Sequence, residues 1–322
     1  MVNLESFHAK RAAVIFNPIA RRLSRSRHLL HRTTRILAEQ GIHTTLVGTT
    51  APGTAGCQAR KQIEAGSDLI IVAGGDGTIN EVAAGMLHTN VPLAVLPGGT
   101  ANVLAREIRL PMQMTAAASM VSKLKPQKIA IGRLRLKDGT PRPFLCMAGA
   151  GLDASIVSHL DIDLKAIAGK LAYYAAGFAH VLRPLPEFEV AVDDQRYLAS
   201  FALVSRVRNY GGDLEIARGA SLLRNDFEIV LFRGRHSYQY LPYFVGVALG
   251  QVHRMSGVSV LRGRSIACRT PPGGPNVYVQ VDGELAGHLP MSVDIVPDAL
   301  TLLVPPQFIA REQSFVAVPA CA

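Results

Sequence analysis

Two glycine-rich turns, each placed directly after a short apolar run, constrain the fold of this chain more than any other feature. The first turn, Gly74 to Thr78, follows the run Leu69–Ala73, and the second, Gly98 to Asn102, follows Leu93–Leu96. Each run has the length and composition of a buried strand, and a helix candidate, Ile79–Leu87, follows the first turn. This order of strand, turn and helix predicts a parallel sheet covered by helices.

Glycine turns of this kind bind phosphate for physical reasons. Glycines let the backbone approach an anion closely, and the N-terminus of the next helix offers unpaired N–H groups and a positive dipole end. Thr78 and Glu81 have the spacing of a capping box, which predicts a helix that begins near Thr78. A turn that only packs a helix on a sheet would explain one loop. The second copy favours a nucleotide site at the carboxyl edge of the sheet.

The pattern of strands changes near the middle of the chain. The first half alternates strands with helices, whereas after Lys128 strands alternate with turn signals, which predicts an antiparallel arrangement. The segment Lys123–Pro126 is the expected boundary between two domains. Further predicted elements of the first half are strands Ala12–Phe16 and Thr44–Val47 and helices Arg21–Gln40 and Ala55–Ala65. Those of the second half are strands Ile129–Leu136, Phe144–Ala148, Phe188–Val192, Tyr197–Val204, Phe227–Phe232, Val277–Val281, Val293–Val296 and Leu300–Val304 and helix Leu164–Leu182.

Charge and composition restrict the partners. A formal charge of +10 on 322 residues indicates an anionic partner, which is nucleotide phosphate, nucleic acid or an acidic membrane surface. With 6% aromatic residues and no tryptophan to stack on bases, nucleic acid is the weakest of the three. No apolar run approaches the roughly 20 residues that span a bilayer, and the first residues do not resemble an export signal. We expect a cytoplasmic protein, with a peripheral position at the inner face of the membrane left open.

Several motifs together resemble one enzyme family. Neither glycine turn is a P-loop or a dinucleotide fingerprint. The order GGDGTINEV (74–82) followed by LPGGTAN (96–102) resembles the diacylglycerol kinase catalytic-domain family, especially its soluble bacterial lipid kinases, within the NAD kinase and phosphofructokinase-like superfamily. Further matching segments are Asn17-Pro18, Thr49 with Gly53 to Ala55, Gly149 to Ala154, Tyr210 to Gly212 and Val281 to Glu284.

The resemblance implies a fold and a nucleotide site. It implies a phosphofructokinase-like, parallel-sheet α/β domain that binds the nucleotide (1–126) and an antiparallel β-sandwich domain that binds the lipid substrate (127–304). Residues 305–322 are left free to pack back on the first domain. It also implies ATP and Mg²⁺ as cofactors. The residues that it assigns to the nucleotide are Asn17, Thr49, Gly74, Gly75, Asp76, Gly77, Thr78, Ile79, Asn80, Thr100 and Asn102.

The turn Asp282-Gly283-Glu284 is the candidate catalytic segment. On backbone grounds alone, Asp-Gly between two strands indicates an ordinary hairpin. By resemblance, Glu284 is the base that accepts the proton of the attacking hydroxyl, and Asp282 is its orienting or metal-linked partner.

Two positions bear on the metal. Asp76 lies inside a phosphate loop, where it either coordinates Mg²⁺ or caps neighbouring backbone N–H groups. In the segment Ile216 to Asp226, the family's metal-linked aspartate is replaced by Arg224. Either Asp226 takes over that role or a guanidinium stands where the ion would be, so the second metal site is left unassigned.

The resulting prediction is an ATP-dependent lipid kinase that phosphorylates a lipid hydroxyl and serves phospholipid metabolism. The alternatives are a nucleotide or lipid sensor of the same fold without catalysis, and an NAD or sugar kinase. Arginines of the second half, interleaved with aromatic residues from Tyr238 to Phe244, suit either an anionic membrane surface or a solvated helix face. The acceptor lipid and the oligomeric state, a homodimer included, are left open.

Overall fold

A computed structural model describes residues 9–20, 27–151, 185–211, 214–236, 243, 246 and 250–317. The predicted helix Leu164–Leu182 and the first residues of the predicted helix Arg21–Gln40 lie outside these ranges. The described residues fall into two compact units, one drawn from 1–131, 221–223 and 297–322 and the other from 132–220 and 224–296. Each unit is described by itself.

The strands follow one another along the whole described chain. In chain order they are β1 Arg11–Phe16, β2 His43–Gly48, β3 Leu69–Gly74, β4 Leu93–Pro97, β5 Lys125–Arg135, β6 Pro141–Phe144, β7 Met147–Gly151, β8 Phe188–Val192, β9 Gln195–Ala199, β10 Phe201–Ser205, β11 Asn209–Tyr210, β12 Leu214–Glu215, β13 Phe227–Phe232, β14 Val258–Gly263, β15 Ser265–Arg269, β16 Tyr278–Val281, β17 Glu284–His288 and β18 Met291–Val304.

The first unit contains the predicted parallel sheet. Its strand order is β2-β1-β3-β4-β18, and each of these neighbouring pairs is parallel. The central strands β3 and β4 are buried along their whole length, as expected for apolar strands covered on both faces. The strand β2 lies at the edge, where Leu46 is partly exposed.

Helices cover this sheet. They are α1 Arg27–Glu39, α2 Ala55–Glu64, α3 Asp76–Met86, α4 Val103–Glu107, α5 Met114–Ala118 and α6 Pro306–Ala317, with a short 3₁₀ turn at Val121–Lys123. The helix α3 begins at Asp76, two residues before the start near Thr78 that the sequence predicted. The short helices α4 and α5 were not predicted, because each is too brief to show a clear periodicity in sequence. No helix among the described residues is long and apolar enough to span a membrane.

The helices α2 and α3 touch through their backbones. A Cβ atom added to Gly85 would lie 2.1 Å from the carbonyl oxygen of Gly56, and one added to Gly56 would lie 2.5 Å from the carbonyl oxygen of Glu81. Both distances are far below a normal contact. The two helices can therefore approach this closely only because both positions are glycine.

The second unit is a β-sandwich of antiparallel strands. One sheet has the order β14-β13-β10-β7-β16-β17, and the other joins β18, β15, β8 and β9, with β5 paired to β18 and β6. Alternate residues of facing strands fill the core, in which Phe144 stacks on Phe227 with ring centroids 5.9 Å apart. This architecture confirms the predicted fold class of an α/β unit followed by an all-β unit.

Strand boundaries of this unit differ from the prediction in three places. The predicted strand Phe144–Ala148 divides into β6 and β7, and the predicted strand Tyr197–Val204 divides at Ser200 into β9 and β10. The predicted strands Val293–Val296 and Leu300–Val304 form one continuous strand, β18. The break between β6 and β7 has a clear cause, since the backbone N–H groups of residues 145–147 bind a side chain from a distant turn.

Candidate active site

The carboxyl ends of four parallel strands lie level at one edge of the first sheet. Phe16 pairs with Gly48 on one side and Ala73 on the other, and Gly74 pairs with Pro97. The turns after these strands therefore start at the same height. This edge collects the segments that the sequence assigns to the nucleotide, in agreement with ligand sites of open parallel sheets.

The two glycine loops pack backbone against backbone. The N–H of Gly98 donates to the carbonyl oxygen of Gly74 at 2.8 Å. A Cβ atom on Gly99 would lie 2.5 Å from the Cα of Gly75, and one on Gly98 would lie 3.1 Å from the nitrogen of Gly74. Side chains at these positions would push the loops apart. The glycines thus form one continuous stretch of bare backbone at the sheet edge, which suits a phosphate chain.

Asn102 closes the second loop from within. It adopts a left-handed backbone with φ 49° and is buried, and its side-chain oxygen accepts the N–H of Gly99 at 2.8 Å. Its side-chain nitrogen donates in turn to the carbonyl oxygen of Gly99 at 2.9 Å. Thr100 remains exposed at the tip of this loop. Asn102 therefore shapes the loop, whereas contact of Thr100 with the nucleotide stays a prediction.

The carboxylate of Asp76 ties the first loop to the second. It accepts the N–H of Leu104 at 3.3 Å, in the first turn of α4. Burial raises the pKa of Asp76, and backbone hydrogen bonds, first those from Val103 and Leu104, oppose that rise. Of the two roles considered from sequence, this geometry shows the capping of backbone N–H groups. Magnesium coordination by Asp76 stays a prediction.

The start of α3 has no side-chain cap. Its N-cap is Gly75 in an extended conformation, and the N–H of Ile79 makes the first intrahelical bond to Gly75 at 3.0 Å. The predicted capping box was wrong, because the Glu81 carboxylate binds elsewhere, at Gly53 and Ala55. The first-turn N–H groups of Gly77 and Thr78 have no intrahelical partner, so they can bind an anion.

Other predicted nucleotide residues occupy fixed places at the same edge. The side-chain oxygen of Asn17 accepts the N–H of Ile19 at 3.0 Å, and the N–H of Thr49 donates to Phe16 at 2.9 Å. The side chain of Ile79 is buried in the core, so only its backbone can face a ligand. Asn80 lies on α3, one residue further along.

Arg106 was missed by sequence reasoning. Its guanidinium Nε donates to the carbonyl oxygen of Ala101 at 3.0 Å, which holds a positive charge beside the second glycine loop. The only signal in the sequence is an arginine four residues after Asn102. A cation at this place suits a site that binds phosphates.

The turn at Asp282 is a tight hairpin in the second unit. Asp282 and Gly283 have φ of 47° and 83°, as a type I′ turn between β16 and β17 requires. The Asp282 carboxylate accepts the N–H groups of residues 145–147 at 3.1, 3.0 and 2.8 Å, and Gly283 donates to the side chain of Gln280 at 2.9 Å. Asp282 therefore anchors the turn, while Glu284 directly after it is exposed to solvent.

Two arginines clamp Asp226. Arg224 donates to both of its carboxylate oxygens at 3.2 and 3.1 Å, and Arg262 does the same at 3.1 and 2.8 Å. Burial alone would raise the pKa of Asp226, but the hydrogen bonds from Arg262 and Arg224 outweigh it and hold the pKa below its usual value. Among the described residues, no group of three or more histidine, cysteine, aspartate or glutamate side chains could hold a metal ion. The residues around Asp226 do not fit the family's second metal.

The clamp predicts a measurable loss of stability in Arg262→Ala. The Asp226 side chain is 19% exposed, so losing two charge-assisted hydrogen bonds should lower the free energy of unfolding by about 1–2 kcal/mol. The pKa of Asp226 is lower in the folded than in the unfolded chain. Its ionised form therefore stabilises the folded state above the unfolded pKa near 3.9, and this stabilisation is lost as the pH falls through the lower folded pKa. In the variant the folded pKa of Asp226 lies closer to the unfolded value, so the acid-dependent loss of stability should be smaller and should be complete at a higher pH. Thermal melts from about pH 7 to pH 2 measure both effects.

The matched control is Arg196→Ala. Arg196 pairs with Glu189 at 3.2 Å, but the two side chains are 77% and 44% exposed, so we expect a change below about 0.5 kcal/mol. Equal melting temperatures of the two variants would show that the clamp contributes no more than an exposed ion pair.

Two protein-family models match this chain, one in its first part and one in its second. A family model of the diacylglycerol kinase catalytic domain matches residues 11–134. A model of the YegS C-terminal NAD kinase beta sandwich-like domain matches residues 146–304. The two matches follow one another along the chain and together cover most of it.

Individual relatives agree with these matches. A diacylglycerol kinase of Mycobacterium tuberculosis is 31% identical over 246 residues, which are 74% of this chain and 78% of the relative. A diacylglycerol kinase of Bacillus subtilis is 28% identical over 288 residues, 87% of this chain and 92% of the relative. A crystal structure of a diacylglycerol kinase from Bacillus anthracis shares the fold, with a TM-score of 0.75 at 23% identity over 94% of this chain and 99% of that one.

Proposed function

The chain belongs to the diacylglycerol kinase catalytic-domain family, and on this premise we propose that it is an ATP-dependent lipid kinase. It transfers the γ-phosphate of ATP to the hydroxyl of a lipid alcohol. The observation that carries the proposal is the pair of glycine loops that meet backbone to backbone beside the uncapped start of α3. Such a surface binds a chain of phosphates without any side chain.

The residues around the loops suggest how the phosphates are held. The N–H groups of Gly77 and Thr78 face an anion at the helix start, and Arg106 supplies a positive charge beside the second loop. When bound, Mg²⁺ neutralises charge on the phosphates. The chain offers it Asp76 alone within the loops, so we propose that the ion enters with ATP and is held mainly by phosphate oxygens.

Glu284 is the proposed residue that activates the lipid hydroxyl, which accepts the phosphate. Its exposed carboxylate is the proposed base for the lipid hydroxyl, and Asp282 fixes the backbone of the turn that carries it. Asp282 thus has a positioning role in this proposal and need not bind a metal. The β-sandwich that contains both residues is the proposed lipid-substrate domain, which would work at the cytoplasmic face of an anionic membrane.

The test is a transfer assay with a complete lipid extract. Purified protein, γ-labelled ATP and Mg²⁺ are incubated with total bacterial lipids, and labelled products are separated and identified by mass spectrometry. We expect label in one class of lipid, with an increase in mass of one phosphate. No label in any lipid, together with label in NAD or a sugar supplied in a parallel incubation, would contradict the lipid assignment.

A sensor without catalysis is the second candidate. The clamp of Asp226 by two arginines favours it, because Arg224 replaces the family's metal-linked aspartate and the carboxylate two residues on, Asp226, is neutralised by Arg224 and Arg262. Tight ATP binding without label in any lipid of the extract would support the sensor and contradict the kinase.

A further inference from the structure

The carboxylate of Glu81 caps a helix other than its own. Glu81 lies in the middle of α3, yet its two oxygens accept the N–H of Gly53 at 2.9 Å and the N–H of Ala55 at 3.2 Å. Ala55 is the first residue of α2, whose N-cap, Thr54, makes no capping bond with its side chain. The start of α2 is therefore satisfied by a residue 26 positions later in the chain.

A second carboxylate of α3 has a similar role on the other side. Asp76 accepts the N–H of Leu104 at the start of α4, which follows the second glycine loop. Protein carboxylates thus occupy the starts of α2 and α4, whereas the start of α3 itself has only Gly75 as its N-cap, with no side-chain cap. Of these three helix starts, that of α3 is the one at which no side chain caps the backbone, although Asp76 lies in its first turn.

The segment from Gly48 to Gln58 is fixed at several points besides Glu81. The side-chain nitrogen of Gln58 donates to the carbonyl oxygen of Gly48 at 3.0 Å, and the N–H of Thr49 donates to Phe16 at 2.9 Å. The Thr54 hydroxyl donates to the carbonyl oxygen of Ala51 at 2.6 Å. Between these anchors, Glu81 connects residues 50–55 to α3, the helix that follows the first glycine loop, through two side-chain hydrogen bonds.

We propose that Glu81 is a positioning residue that sets the Thr49–Ala55 segment against the phosphate loop. It does not contact the nucleotide. Its two hydrogen bonds fix the distance between this segment and α3, the helix whose start is proposed to bind phosphate. Because Asp76 of α3 also binds the segment after the second glycine loop, α3 holds both the Thr49–Ala55 segment and the second loop. The inference rests on the proposed nucleotide site, because the segment is taken to contact ATP.

Glu81→Ala tests the inference by separating binding from chemistry. We expect the KM for ATP to rise about tenfold, since two hydrogen bonds to a charged acceptor are lost, while kcat changes less than about twofold. Glu81→Gln keeps one acceptor oxygen and should recover part of the affinity. Hydrogen exchange of the Gly53 and Ala55 amides, followed by mass spectrometry, should become faster in Glu81→Ala even without ATP.

The matched control is Val82→Ala, the next position on the same helix. Val82 is fully buried in the core, so this variant loses stability through packing but keeps both hydrogen bonds of Glu81. Its KM for ATP should stay at the wild-type value. An equal rise of KM in both variants would overturn the positioning role, because general loosening of α3 would then explain the effect.

Direct titration of ATP into the protein separates the two proposals. If the wild-type protein binds no ATP, the proposed function fails, and amide exchange still reports whether Glu81 holds the segment. If the wild-type protein binds ATP and Glu81→Ala binds it equally well, the inference about Glu81 is wrong and the proposed function stands.

Discussion

Glu284→Gln should lower kcat for phosphate transfer by at least about 100-fold and leave the Kd for ATP unchanged. A general base contributes this much or more to a proton transfer, and glutamine cannot accept the proton. The change is isosteric at an exposed position, and the hairpin is held by Asp282 and Gln280, which both remain. Steady-state transfer to the lipid and titration of ATP measure the two quantities on the same preparation.

The control for this variant is Glu189→Gln. Glu189 is a half-exposed glutamate of the same unit, on β8, and it has no place in the proposed site. Its kcat should match the wild-type value. Turnover of Glu284→Gln within a factor of a few of wild type would remove Glu284 from the role of base.

Gly85→Ala should lower the free energy of unfolding by about 2–3 kcal/mol. In an open helical position this change stabilises a protein by about 0.4–1 kcal/mol, because alanine restricts the unfolded chain. At Gly85 the new Cβ would lie 2.1 Å from the carbonyl oxygen of Gly56 and 2.6 Å from its Cα, so α2 and α3 must move apart. Thermal and denaturant unfolding measure the loss.

Gly48→Ala is the matched control for packing in the same unit. A Cβ on Gly48 would meet Phe16 no closer than 3.4 Å, which is an ordinary contact. We expect the midpoint of unfolding to stay within about 1 °C of wild type, a shift equivalent to a few tenths of a kcal/mol. If Gly85→Ala were equally mild, the close approach of α2 and α3 would not be needed for stability.

The sequence predicted those parts of the site that depend on local chemistry. The apolar strands and the glycine turns that follow them are local patterns, and the parallel sheet follows from their order. The hairpin at Asp282 is equally local, since Asp-Gly favours a type I′ turn by backbone conformation alone. The fold class could therefore be predicted from local patterns, whereas the family was identified from the resemblance of its motifs.

The parts that could not be predicted depend on contacts between distant residues. Glu81 has the spacing of a local cap for α3, yet its carboxylate binds Gly53 and Ala55 because α2 lies within reach through Gly56 and Gly85. In the same way, Asp282 interrupts a strand more than a hundred residues earlier. Spacing along the chain carries no information on such contacts, so local pattern alone assigned Glu81 to the wrong helix.

The position of β18 in the first sheet has a consequence for biosynthesis. Residues 297–322 belong to the first unit, and β18 pairs with β4 through Leu302 and Leu93. At about 5–20 residues per second, a ribosome completes this strand roughly ten to forty seconds after it has made β4. Until then β4 presents an unpaired apolar edge of the kind that leads to aggregation. A nascent or truncated chain without β18 should therefore depend on chaperones. This holds even though both glycine loops have been synthesised by then, because the sheet that positions them still lacks its last strand.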